Sequence, residues 1–251
     1  GEIAPTILNG LELGFFRVMQ LGGAGRPSGL STWVDAFLSQ DNYGANTGNN
    51  DFSKEPGNQL AGIDLRWRPY DLHFAIYGQL VGEDEDKFLP NCLMFQYGIE
   101  GWGTIHESTF RVFAEFADLT SYWWTDDPRT RNITYGHHIY LDGYRYKGRP
   151  LGHWADQDSK MLSIGGFWLS ENEIGWGSII RNGKLNDDGV GRSSVSNNVS
   201  TDYFSFELFN SREYQNLSMS LYSAIGWESL SKSNGIIDEG MTAFLSLTRK
   251  F

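Results

Sequence analysis

The chain has little cysteine, few cations and no long apolar run, and each scarcity excludes a class of protein. One cysteine, Cys92, cannot form an internal disulfide, which removes any disulfide-stapled scaffold. It reads instead as a small hydrophobe on a strand. No stretch approaches the ~18 apolar residues of a membrane-crossing helix. The opening GEIAPTILNG lacks a charged region followed by an apolar core, so it does not read as a signal peptide. Lys+Arg 20 against Asp+Glu 31 gives a net charge of -11, the opposite of the basic footprint that nucleic acid requires. The five histidines form no H-E-x-x-H and have no cysteine pair beside them, so neither a metal nor a cofactor is expected. G-x-S-x-G is absent. His106-Glu107-Ser108 holds triad residue types, but adjacency does not make a triad. The chain is not read as an enzyme. The sequons at Asn132, Asn198 and Asn216 read as chance matches.

What the chain does have is aromatics and alternation. Aromatic residues make up 15%, as expected where rings form belts at a bilayer interface. Mean hydropathy is only -0.40, which a β-barrel permits because lipid-facing residues alternate with polar lumen-facing ones. Ala61, Ile63, Leu65 and Trp67 oppose Asp64, Arg66 and Arg68. Phe110, Val112, Ala114 and Phe116 oppose Arg111 and Glu115, and Met241, Ala243, Leu245, Leu247 and Phe251 share the last apolar face. The pattern predicts about eleven strands, near 8–21, 30–41, 59–68, 71–82, 91–103, 108–119, 160–170, 173–182, 201–212, 215–227 and 241–251. Connections alternate between short (around Pro69, His106, Glu171 and Arg212) and long (42–58, 83–90, 120–159, 183–200 and 228–240). Short turns on one side and long loops on the other mark an outer-membrane barrel. A soluble sandwich is the competing all-β reading, and alternation alone does not separate the two. Counting back from a terminus in the periplasm, the first strand runs downward and the count is odd. The expectation is therefore that this chain is the C-terminal part of a larger antiparallel transmembrane β-barrel, a single domain over 1–251, with further strands outside it. Polar lumen faces keep a porin or transporter open as the alternative function.

Chemistry concentrates in 120–159 and in the acidic run Glu83, Asp84, Glu85, Asp86. A loop of that length inside a compact domain is usually functional. Its Trp123, Trp124, Tyr135, Tyr140, Tyr144, Tyr146 and Trp154 offer faces for sugar rings, and Arg145, Arg149, His137, His138, His153, Asp156 and Asp158 offer hydrogen bonds to hydroxyls and carboxylates. The same residues also suit packing of the loop onto the barrel mouth. Hard cations take carboxylate oxygens, but the acidic run lacks an EF-hand pattern and reads as a solvated loop or as partners for the arginines.

YGQLVGEDE (Tyr77 to Glu85), Leu89-Pro90, YGIEG (Tyr97 to Gly101), VFAEF (Val112 to Phe116) and YRYKGRPLGHWADQDS (Tyr144 to Ser159) resemble the Wzi-type capsule-assembly proteins of the Gram-negative outer membrane. The resemblance implies a barrel of roughly eighteen strands and a surface lectin, without catalysis, that binds and anchors capsular polysaccharide. It carries Glu83, Asp84, Tyr144, Arg145, Tyr146, Arg149, His153, Asp156 and Asp158 over as ligand-binding candidates. Trp123 and Trp124 join them on physical grounds alone. The expected partners are an acidic capsular glycan, whose carboxylates match the guanidinium fork, outer-membrane lipid, and the barrel insertion machinery through Phe251. A monomer with its loops at the cell surface is expected.

Overall fold

A computed structural model describes residues 2–3, 9–22, 27, 29–37, 57–86, 89–121, 132–137, 140–191 and 193–249. Phe251 lies outside the described residues. Eleven strands form one antiparallel sheet in chain order. They are β1 (Glu2–Ile3), β2 (Leu11–Leu21), β3 (Gly57–Trp67), β4 (Phe74–Asp86), β5 (Leu89–Ile105), β6 (Ser108–Asp118), β9 (Lys160–Leu169), β10 (Ile174–Leu185), β11 (Thr201–Tyr214), β12 (Met219–Lys232) and β13 (Ile237–Arg249). A separate hairpin, β7 (Arg145–Tyr146) with β8 (Arg149–Pro150), is inserted between β6 and β9. Among the described residues the one α-helix, α1 (Leu30–Phe37), lies between β2 and β3, and a short 3-10 turn, Gln215–Leu217, joins β11 to β12.

Register explains the alternation. Across the later strands, Ile164 faces Ile180, Ile180 faces Phe206, Phe206 faces Trp227 and Trp227 faces Met241, so one face of the sheet is a continuous apolar surface. Ile63, Leu80 and Phe95 continue it through β3, β4 and β5. Most of these side chains are exposed, and no second sheet of comparable size covers them among the described residues. A patch this large on a water-soluble sandwich would be an aggregation site, so the sandwich reading fails and the lipid-facing reading stands. Rings gather in two bands on that face. Phe110 stacks on Trp168 near the short turns, and Phe95, Tyr97 and Phe116 cluster toward the long loops. Phe110 and Phe116 are about 20 Å apart along their strand at ~3.3 Å per residue, as expected of interfacial girdles.

The opposite face is polar and charged. Glu100 accepts from Arg66 at 2.6 Å and also pairs with Arg111, while the Tyr77 hydroxyl donates to Glu115 at 3.0 Å. Glycines on this face leave room for neighbouring rings. A Cβ on Gly62, Gly98, Gly165 or Gly177 would strike the ring of its directly opposed partner, Phe16, Tyr77, Phe113 or Phe209.

Three expectations are corrected. Residues 30–37 are helix, not the strand expected at 30–41, because Leu30, Trp33, Val34 and Phe37 repeat at the helical period rather than alternately. With that strand gone, β2 runs from the short-turn end toward the long-loop end, opposite to the direction expected of 8–21, while β1 pairs antiparallel with it and keeps the count at eleven. The segments 83–90 and 228–240 are not long loops. β4 and β5 continue to Asp86 and from Leu89, and β12 and β13 are joined by a tight turn at 233–236. These strands outrun the ~9–11 residues that a crossing requires, so both hairpins project beyond the apolar band.

Candidate functional site

The described residues of 119–159 fold against the polar face at the long-loop end. Leu119, Tyr135 and Ala155 from this segment bury together with Leu60, Met94 and Met161 from the wall. Those three wall residues have the opposite parity from Ile63, Phe95 and Leu162, which places the contact on the inner face.

Tyr135 organises the segment. Its backbone sits in the left-handed region at φ 55, with the ring buried. Its N–H donates to Glu83 Oε2 at 2.9 Å, and its carbonyl accepts from Arg145 Nη1 at 3.0 Å and from the Tyr144 N–H at 2.9 Å. Its hydroxyl oxygen accepts from the His153 N–H at 3.0 Å. Burial pushes the Tyr135 phenol up to about 12, so it remains a neutral hydroxyl. Glu83 also accepts from Asn58 at 3.5 Å, so this carboxylate ties β3, β4 and the loop together.

Arg145 and Asp156 form the deepest ion pair described. Arg145 Nη2 donates to Asp156 Oδ1 at 2.7 Å and Nε donates to Oδ2 at 3.0 Å, with both side chains nearly sealed from solvent. The remaining Arg145 donors go to Gln157 at 3.0 Å and to the Asp142 carbonyl at 3.2 Å. Asp156 Oδ2 also accepts from the Ser194 N–H at 2.6 Å, which fastens the second long loop, 186–200, to the first. Asp158 does the same from the next turn. Its carbonyl accepts from the Asp187 N–H at 2.6 Å and its Oδ2 from the Asp188 N–H at 3.0 Å. Burial, with the charges of Asp188 and Asp187 adding, pushes the Asp158 carboxyl up to about 7.

On this anchored base, the β7–β8 hairpin presents Tyr146 directly opposite Arg149. Tyr146 is 64% exposed and Arg149 is exposed beside it, with Lys147 Nζ 5.4 Å from the Tyr146 ring centre. Trp154 is 39% exposed and packs on Tyr203 of β11. Beneath the hairpin is a cavity of about 340 Å³, lined by Phe16, Gln79, Gln96, Tyr144 and His153 among others, with no Asp, Glu, Lys or Arg among the described residues that line it. Burial lowers the His153 imidazole below its ordinary value, so it is neutral at pH 7. The geometry thus offers an aromatic and cationic rim above an uncharged pocket.

The candidates therefore separate by role. Tyr146 and Arg149 reach solvent, and Tyr144 and His153 line the cavity. Glu83, Arg145, Asp156 and Asp158 are consumed internally and serve to hold the loop. Asp84 lies in β4, with its side chain outside the described residues, and Trp123 and Trp124 lie outside them altogether. Among the described residues no group of three or more His, Cys, Asp or Glu side chains is placed to hold a metal ion. Sequence reasoning counted Tyr135 only among the rings of the segment and passed over Lys147, Ser194 and Asp188. Lys147 was readable within the YRYKGRP run. Ser194 and Asp188 carried no local signal, because their role is a backbone amide meeting a carboxylate far away in the chain.

A family model described as capsule assembly protein Wzi matches residues 3–231. An uncharacterized 55.8 kDa protein in the cps region of Klebsiella pneumoniae is 43% identical over 109 residues, which are 41% of this chain and 20% of that protein. A solved structure described as Wzi, an outer membrane protein involved in group 1 capsule assembly in Escherichia coli and a carbohydrate binding β-barrel, matches with TM-score 0.75 at 27% identity, over 96% of this chain and 49% of that one. The chain thus spans about half the length of the solved relative and a fifth of the curated one.

Proposed function

The chain belongs to the capsule assembly protein Wzi family, and from that premise we propose that it forms part of an outer-membrane β-barrel wall whose external loop binds acidic capsular polysaccharide and holds it at the cell surface. The observation that carries this reading is the exposed Tyr146–Arg149 pair on a hairpin fixed from beneath by buried Arg145 and Asp156. A ring face suits the apolar side of a sugar, and a guanidinium beside it suits a uronate carboxylate. Because the surface beneath is already locked, little ordering opposes binding. The neighbouring cavity, with its neutral amides and imidazole, suits an uncharged part of the same glycan. The protein acts by binding, without turnover, as a monomeric single-domain barrel. The lipid-facing girdles support residence in a bilayer, and the family relationship supports which bilayer it is.

The test measures binding of purified acidic capsular glycan to the complete protein, alongside Tyr146→Ala and Arg149→Ala. Both variants lose affinity while the loop stays folded. Unchanged affinity in both, with capsule retention unaltered in cells, refutes the reading.

A further inference from the structure

Helix α1 carries its large apolar residues at Leu30, Trp33, Val34 and Phe37, the spacing of a single helical stripe. Ser31, Thr32 and Asp35 take the other side. Among the described residues the stripe covers nothing: Leu30 is 82%, Trp33 52%, Val34 48% and Phe37 75% exposed. Exposed apolar surface concentrated in this way marks an interaction site.

The place of the helix on the wall says what it meets. Arg17 of β2 donates from Nη1 to the Phe37 carbonyl at 3.4 Å, and its other terminal nitrogen bonds the Gln59 side chain. Arg17 and Gln59 share the parity of Phe15 and Ile63, so both project from the lipid-facing side of the sheet. Arg17 pairs with Ala61, Ala61 with Gly82 and Gly82 with Leu93. Leu93 is one same-face step beyond Phe95, toward the long-loop end. The C-terminal end of α1 is therefore tied to the outside of the wall, at the level of the Phe95–Tyr97–Phe116 girdle.

We propose that α1 is an interfacial helix whose Leu30–Phe37 stripe embeds in the hydrocarbon of the outer leaflet beside the barrel. Ser31, Thr32 and Asp35 face water and headgroups, and Arg17 pins the end of the helix to the wall. Helices of this kind bury their apolar face some 5–10 Å into the headgroup–acyl boundary, and Trp and Phe are suited to that depth. The stripe extends the apolar girdle sideways, so its partner is lipid rather than a protein groove. This inference rests on the outer-membrane reading above.

The test uses the complete barrel in vesicles of phosphatidylethanolamine and phosphatidylglycerol. A single cysteine is placed at Trp33→Cys, at Asp35→Cys or, as a lipid-facing control, at Ile225→Cys, each in a Cys92→Ala background, and carries a polarity-sensitive fluorophore. The Trp33 site should emit at shorter wavelength than the Asp35 site. Lipid-borne nitroxide should quench it several-fold more strongly, and aqueous iodide several-fold less. Heat-modifiable gel mobility confirms folding, and Val34→Cys serves if the Trp33 variant does not fold. Iodide quenching equal at Trp33 and Asp35 overturns the proposal. So does protection of Trp33 from both quenchers, which would mean that another part of this chain or a second copy covers the stripe. If the Ile225 control also escapes lipid quenching, the outer-membrane reading fails with it.

Discussion

Replacing Asp156 with Ala should open the capping segment without opening the wall. The carboxylate accepts from Nε and Nη2 of Arg145 and from the Ser194 N–H, and it is completely buried. Removing one partner of a buried ion pair costs about 3–5 kcal/mol, because the other charge is left uncompensated. Arg145 keeps its bonds to the Tyr135 and Asp142 carbonyls and to Gln157, so the lower end, about 3 kcal/mol, applies. At about 1.4 kcal/mol per factor of ten, the open fraction of the segment should rise by roughly two powers of ten. Asp156 also sits at φ 61, which Asp and Asn tolerate better than Ala. Asp156→Asn keeps that tolerance and isolates the loss of charge. Amide hydrogen exchange reads the result directly. Amides of 132–137 and 140–158 should lose protection, as should Ser194, while those of β10 and β12 stay unchanged. A change below about threefold in the segment would refute the claim that this pair holds it closed. Loss of protection throughout the sheet would show that the cap and the wall are a single cooperative unit.

The raised Asp158 carboxyl makes closure depend on pH. Its folded value of about 7 lies above the ordinary 3.8, so the closed form binds more protons than the open one. The resulting stability is full below about pH 4 and is lost as pH rises toward 7. Exchange corrected for its intrinsic pH dependence should show a looser segment at pH 8 than at pH 5, and Asp158→Asn should flatten that difference. Tyr146→Ala should weaken glycan binding about two- to tenfold, the range for one aromatic contact. Arg149→Ala should weaken binding of an acidic glycan and leave a carboxyl-reduced form of the same glycan unaffected, as titration calorimetry would show. Glu100→Ala strands Arg66 and Arg111 on the inner wall. Because both arginines are partly exposed, the loss should be about 1–3 kcal/mol, seen as a lower urea midpoint for barrel unfolding. An unchanged midpoint would mean that lumen water solvates these arginines fully.

Much of the wall was legible in the sequence because its physics is local. Period-two alternation, as at Ile63–Leu65–Trp67 and Phe110–Val112–Ala114, needs no knowledge of the partner strand, and the register later aligned those faces. The helix was misread because TWV, like many strands, pairs a β-branched residue with an aromatic. The decisive fact is the spacing of Leu30, Trp33, Val34 and Phe37, visible only over the full two turns. The segments 83–90 and 228–240 read as long loops because their apolar alternation stops, whereas a strand leaving the apolar band can carry Asp84 and Glu239 and stay paired. The site was half legible. Residue type singles out Tyr146 and Arg149 as candidates, but type does not separate an arginine that faces solvent from Arg145, four residues earlier, that is spent on a carboxylate. That distinction depends on which side of a two-residue hairpin each occupies and on Tyr135 and Ser194, which are remote in sequence.

The rings that lie over Gly62, Gly98, Gly165 and Gly177 bear on how such a wall can change over generations. In each pair the ring occupies the space where the opposed residue would have its Cβ, so the two positions inherit as one unit. Enlarging the glycine alone drives the ring into the lumen, and shrinking the ring alone bares the backbone beneath it. Only a joint exchange keeps the inner bore and the strand spacing together. Sequences drifting from this one should therefore alter these paired positions in concert, with a small residue on one strand whenever a large ring stands opposite it.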